Sequence, residues 1–179
     1  MSTDITRAGG SATREAERQA EVDAYGVVDT LEEEAYDDLT RMAAEVCQVP
    51  IALITFLDRD RSWFKSRIGK QLTQAPRESA FCEHLAMQND DVLIVTDAST
   101  DPRFSGNPLV VGNPHIRFYV GAPLISTNGH ILGAICAIDT MPRVLDAKQI
   151  ETLQFLSKQV MSKLEERRRA LAATSPTNP

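Results

Sequence analysis

Two short runs restrict the fold more than any other feature. Residues 51–57 (IALITFL) and 131–138 (ILGAICAI) are apolar at odd and even positions alike. A strand with one wet face alternates, so a doubly apolar run is a strand covered on both faces and placed centrally in a sheet. Asp58, Arg59, Asp60 and Arg61 form a turn after the first run, and 62–68 returns as a second strand ending at Gly69. A third short strand is expected at 92–96 and a fourth at 116–125, where Asn128 and Gly129 make a strong hairpin signal into the fifth, 131–138. With each central strand flanked by its hairpin partner, the order is 2-1-5-4-3. The reading is a mixed α/β (α+β) domain with a central antiparallel sheet of five to six strands and helices on both faces.

The helices are read from caps and spacing. Thr30 and Glu33 form a capping box ahead of Leu31, Ala35, Leu39, Met42, Ala43 and Val46, which predicts a helix ending at Cys47 before Pro50. Residues 13–25 favour helix but carry few large apolar side chains, so that helix needs a partner. Asp146 with Gln149 caps a last helix over 147–172. Residues 1–12 and 173–179 read as disordered, leaving 26–165 as the folded body.

A net charge of −6 disfavours nucleic acid and anionic membranes, which need a basic surface. No segment approaches the ~20 apolar residues of a membrane span and the amino terminus lacks a signal-peptide core, so a cytoplasmic protein is expected. Three widely spaced cysteines without a CxxC suggest neither a disulfide framework nor zinc.

The segment 76–86 (PRESAFCEHLA) holds a thiol and an imidazole. With Ser79 as N-cap of a helix over 80–88, Phe81, Cys82, Leu85 and Ala86 share one stripe and His84 lies about 160° from Cys82. Side chains two apart on a helix do not converge on one metal or proton. Cys82 therefore reads as a core thiol and His84 as a pocket-edge imidazole, with no metal site and no catalytic residue.

Ligand candidates come from strand faces and one long connection. Alternation puts Ile116, Phe118 and Val120 on one face of the fourth strand and Arg117 and Tyr119 on the other, fit for an anionic or aromatic ligand or else a salt bridge on a wet face. Trp63 shares a face with Lys65 and Arg67, for stacking on a ligand or packing under a helix. The irregular segment 97–110, with Asp97, Arg103 and Phe104, is a binding loop or a structural turn.

The succession YGVVDTLEEEAYDDLTRMAAEVCQVPIALITFLDRDRSWFKSRIG, PRESAFCEHLAM, LIVTDASTDPRF, NPLV, IRFYVGAPL and GHILGAICAIDTMPR resembles the GAF domain family over about residues 22–165. The resemblance implies a GAF/PAS-like sheet with terminal helices on one face and a pocket roofed by short helices and loops on the other. Family members bind cyclic nucleotides, bilins, haem or small metabolites, so a small-molecule ligand is expected but unnamed. Covalent bilin is not expected, because the motif here is Cys82-Glu83-His84 rather than an adjacent Cys-His. The cysteine pattern of the related free methionine sulfoxide reductases is also missing. Members of the resembling branch precede kinase and cyclase domains, whereas this chain shows no output domain after its last helix. How a signal leaves the protein is open, and the resemblance implies a kinase or cyclase as the signalling partner class.

In the last helix, Ile150, Leu153, Val160 and Leu164 step by threes and fours, with Phe155, Leu156 and Met161 widening the apolar face. A homodimer through the terminal helices is expected. The functional expectation is a non-catalytic sensor or regulatory domain; the alternatives are a thiol-based redox sensor or enzyme using Cys82, and a structural dimerisation module.

Overall fold

The computed structural model of the chain describes residues 4–88 and 91–174. In order these are α1 (Asp4–Tyr25), α2 (Glu34–Cys47), β1 (Ile51–Asp58), β2 (Arg61–Ile68), β3 (Gln74–Pro76), a 3-10 turn (Arg77–Ser79), α3 (Cys82–Gln88), β4 (Leu93–Val95), α4 (Pro108–Val111), β5 (Phe118–Ile125), β6 (Ile131–Asp139) and α5 (Ala147–Thr174). The six strands form one antiparallel sheet in the order β3-β2-β1-β6-β5-β4. The five expected strands hold their expected order, and β3 adds a sixth at the edge of β2, with Pro76 opposite Arg61. Three residues ending in proline carry no period, and an edge is where the ladder tolerates proline.

Every residue of β6 and all but the first of β1 are buried, as their apolar character on both faces demands. One face of the sheet packs Phe56, Trp63, Phe118 and Leu132 against Tyr25 of α1, Ala43 of α2 and Leu153 and Val160 of α5. The other packs Leu53, Phe64, Tyr119 and Ile138 against Phe81 and Leu85 of α3 and against Phe104 and Val110. Gly133 lets the central strands meet: a Cβ there would overlap the Thr55 carbonyl.

A bulge redirects β2. Thr55 pairs with Phe64 but Ile54 pairs with Ser66, so Lys65 is the extra residue. Lys65 and Ser66 then both face the helices. The Lys65 amine, its side chain wholly buried, meets Glu33 at 2.5 Å, the Leu31 carbonyl at 2.6 Å and Thr30 Oγ1 at 2.8 Å. Ser66 donates to Asp37 at 2.6 Å.

That cluster overturns the expected capping box. Thr30 donates to the Val27 carbonyl and Glu33 serves Lys65, so α2 starts at Glu34 without a side-chain cap, and Leu31 is 86% exposed. At the last helix the expected pair is formed: Asp146 accepts from the Gln149 amide, and Gln149 Oε1 accepts from the Asp146 amide.

Helix α1 begins at Asp4, so most of 1–12, expected to be disordered, is helical; residues 1–3 lie outside the described residues. Gly9 and Gly10 each cost a helix about 1 kcal/mol, which weakens it without blocking it as proline would. Helix α5 continues to Thr174, and the remainder of the expected disordered tail, 175–179, lies outside the described residues. No helix among the described residues is long and apolar enough to cross a membrane.

Candidate functional site

The face of the sheet away from the terminal helices carries a pocket roofed by α3 and α4. Phe81 and Cys82 reach it because the chain turns out of the 3-10 segment through an extended Ala80 before α3 starts at Cys82. Ser79 is therefore not the N-cap of α3, and its hydroxyl donates back to the Pro76 carbonyl at 2.9 Å. The first turn of α3 then drives Cys82 down onto the sheet, where Thr55 Oγ1 lies 3.5 Å and Ser62 Oγ 4.0 Å from its sulfur. Asn107 caps α4 through the Leu109 amide at 2.9 Å and ties it to the roof by donating to the Ser79 carbonyl at 3.1 Å.

Tyr119 forms the deep wall. Its phenol is 3% exposed, its hydroxyl has no hydrogen-bond partner among the described residues, and it sits beside the Cys136 thiol. The Phe81 ring lies 5.0 Å from the Tyr119 ring and stacks on Phe104 at 4.4 Å and 4°. What remains open is a cavity of about 40 Å³. That holds about one water, against the several hundred Å³ of a drug-sized ligand site.

Burial raises the pKa values of the Cys82 and Cys136 thiols and raises that of Tyr119 well above the phenol range, so all three are neutral at physiological pH. Cys47, on the helix-covered face, is pushed up to about 11 by the same cause. A thiolate is the nucleophile in thiol chemistry, and burial withholds it here.

Among the residues singled out from sequence, Phe81, Cys82 and Tyr119 line this pocket. Phe104 and His84 sit behind it: Phe104 backs Phe81, and the His84 ring meets the Phe104 edge at 5.5 Å with its Nε2 buried and unpartnered among the described residues. Arg103 pairs with Asp101 at 2.6 Å and lies 5.4 Å from the Phe104 centroid, and Asp97 closes a local turn onto Ser99.

Two assignments are corrected. Trp63 packs on the opposite face, 6.3 Å from Phe56, under the terminal helices. Arg117 does not line the pocket with Tyr119, because β5 starts only at Phe118 and strand alternation does not reach back to Arg117. Ile116 enters the pocket instead, and Arg117 donates to the carbonyls of Val110 and Ile116 at 3.1 and 3.0 Å.

Sequence reasoning missed the polar lining residues Lys70, Cys136 and Thr55, and apolar ones such as Phe64 and Ile138. Register could have found two of them, since Cys136 and Thr55 occupy pocket-facing positions of β6 and β1. Lys70 follows Gly69 with no periodic signal.

The roof is tied to the amino-terminal helix. Arg77 bonds Glu83 of α3 at 2.6 Å and Glu15 of α1 at 2.6 Å, and its Nη1 also meets the Arg59 carbonyl at 2.8 Å. Glu15 is shared with Arg18, which is 5% exposed and donates to the Leu57 carbonyl at 2.8 Å. Arg18, and with it Arg77, holds the Glu15 carboxyl down at about 2 despite its partial burial. Among the described residues no cluster of three or more His, Cys, Asp or Glu could hold a metal ion.

The sheet order, the helices on one face and the roofed pocket on the other define a small α+β domain with an enclosed pocket. The sequence profile of the GAF domain matches residues 32–164, and the chain belongs to the GAF domain family. Among curated proteins it is similar to a cyclic di-GMP phosphodiesterase of Pseudomonas aeruginosa, 39% identical over 164 residues. That match takes in 91% of this chain but only 28% of the relative's length. The GAF domain of an Acinetobacter phosphoenolpyruvate-protein phosphotransferase superposes with a TM-score of 0.60 at 14% identity, covering 92% of this chain and 98% of that one. Free methionine-R-sulfoxide reductase of Neisseria meningitidis gives 0.60 at 18%, with 82% and 87% coverage, and the chromophore-binding domain of an R. palustris bacteriophytochrome gives 0.63 at 11%, with 87% and 63%. At such identities these structures share the fold alone.

Proposed function

We propose that this chain is a non-catalytic regulatory domain that senses a small molecule beneath α3 and α4 and passes the state of that pocket to its terminal helices, as a homodimer in cytoplasmic signal transduction. Arg77 is the observation that carries this reading. It grips the roof through Glu83 and α1 through Glu15, so a ligand that lifts α3 must also change what holds α1. A ligand that prefers the lifted arrangement shifts the population of both elements together. The raised thiol pKa values support a regulatory over a thiol-enzyme role.

Phe155 supports dimerisation: it is 59% exposed on α5, while Leu153 and Leu156 beside it are buried on the sheet. The P. aeruginosa relative supports an output in cyclic dinucleotide turnover, with this domain acting on an attached or separate enzyme, and a kinase or cyclase is the other partner class. One observation favours a second reading, a structural dimerisation module: the cavity of about 40 Å³ is nearly filled.

Native and denaturing mass spectra of the purified protein test the proposal. The expected result is a dimer carrying a small molecule that leaves on denaturation. A ligand-free dimer unresponsive to added metabolites favours the structural module, and a ligand-free monomer overturns both readings.

A further inference from the structure

The pocket beneath α3 and α4 is electrically one-sided. Among the described residues Lys70 is its only charged lining residue, and no carboxylate lines it. Lys70 is partly buried and has neither ion pair nor hydrogen bond among the described residues, in a molecule whose buried Lys65 has three partners. Partial burial pulls the Lys70 amine below the usual lysine range, and an anion beside it would restore the charged form. The second unmet group is the Tyr119 hydroxyl, fully enclosed and without a partner among the described residues. Lys70 and Tyr119 line the same cavity, together with Cys136 of β6. Between them the walls are apolar and aromatic, with Phe64, Phe81, Leu53 and Ile138.

We infer that the pocket takes a small aromatic carboxylic acid bearing a second oxygen, with the carboxylate on the Lys70 amine, the ring between Phe64 and Phe81, and the second oxygen accepting from the Tyr119 hydroxyl. This rests on the sensor reading above and names its ligand class. A neutral ring leaves the amine unpaired, and a ligand with two phosphates brings more negative charge than one lysine answers. The acid enters by lifting Phe81 and Leu109. Both stand on short elements, α3 of seven residues and α4 of four, which is where local opening costs least.

Isothermal titration of the full chain with 4-hydroxybenzoate, 4-hydroxybenzamide and benzoate tests the inference, alongside Lys70→Met, Lys70→Gln and Tyr119→Phe. Wild type is expected to bind 4-hydroxybenzoate at least about tenfold more tightly than the amide, a charge-assisted contact. Both lysine variants should erase that preference, and Tyr119→Phe should erase the preference over benzoate while keeping the preference over the amide. Equal binding of acid and amide, or an acid preference that survives both lysine variants, overturns the inference. Binding of cyclic di-GMP or a cyclic mononucleotide in place of the acid overturns the ligand class and leaves the sensor reading standing. No binding of any of these probes overturns the inference and leaves the sensor reading to the native mass spectra.

Discussion

The Tyr119 phenol lies flat over Gly121 two residues along β5, so that a Cβ at position 121 would come within 2.9 Å of the ring carbons and closer still to the hydroxyl. The two residues share the pocket face of the strand, and the missing side chain of one is the space occupied by the other. Gly121→Ala should force the phenol out of its place, costing about 1–3 kcal/mol as overpacking does. Urea unfolding reads the loss. Unchanged stability would show that Tyr119 has another place to go.

Arg77→Met removes the bridge between α3 and α1. With Glu15 and Glu83 both able to turn to water, the loss should be about 1–2 kcal/mol. The pH dependence carries the sharper signature. Glu15 has a folded pKa of about 2, below its ordinary 4.5, so its contribution is fully present above pH 4.5 and is lost as pH falls from 4.5 through about 2. Wild type should lose stability over that window, and Arg77→Met should lose less. Parallel curves for the two proteins would remove Arg77 from the account of Glu15.

All three cysteines should resist labelling by a disulfide reagent at pH 8, each reacting only as fast as the fold opens, and all should react promptly in urea. Burial raises each thiol pKa, so little thiolate exists on either face of the sheet. One thiol that reacts quickly in the native protein, Cys82 above all, would restore the redox reading.

Lys65→Met should destabilise the domain by about 2 kcal/mol, because the amine holds the Leu31 carbonyl, Thr30 and Glu33 against the sheet. Glu33→Gln should cost less, about 1 kcal/mol, since Glu33 is 44% exposed and water can stand in for it. The reverse ranking in urea unfolding would mean that the ion pair, not the carbonyl and hydroxyl contacts, fixes the loop.

The sheet was legible in the sequence because its information is local: two doubly apolar runs and one Asn-Gly turn set which strands are central and which are paired. The site was less legible because it depends on where a period breaks. The bulge at Lys65 shifts alternation by a residue and β5 starts only at Phe118, and no residue type announces either. Arg117 lies outside the pocket because alternation does not extend to it, and Trp63 because alternation groups it with Lys65 without telling which face of the sheet the pair takes, while Cys136 and Thr55 enter it through cross-strand register alone. Cys82 and Tyr119 are legible because they stand inside α3 and β5, where helical spacing and strand alternation hold, and Phe81 directly precedes α3. The capping signal at Thr30 and Glu33 was overridden by a tertiary partner, the buried Lys65, that no local window contains.

The central claim is that the pocket roof and the amino-terminal helix respond as one unit through Arg77. Amide hydrogen exchange of Glu83→Gln against wild type tests it most directly, because Glu83 bonds to Arg77 and, among the described residues, has no hydrogen bond or ion pair with α1. The account predicts exchange faster by about threefold or more in α1 around residues 12–20 as well as in α3. Faster exchange confined to α3, with α1 unchanged, would contradict it.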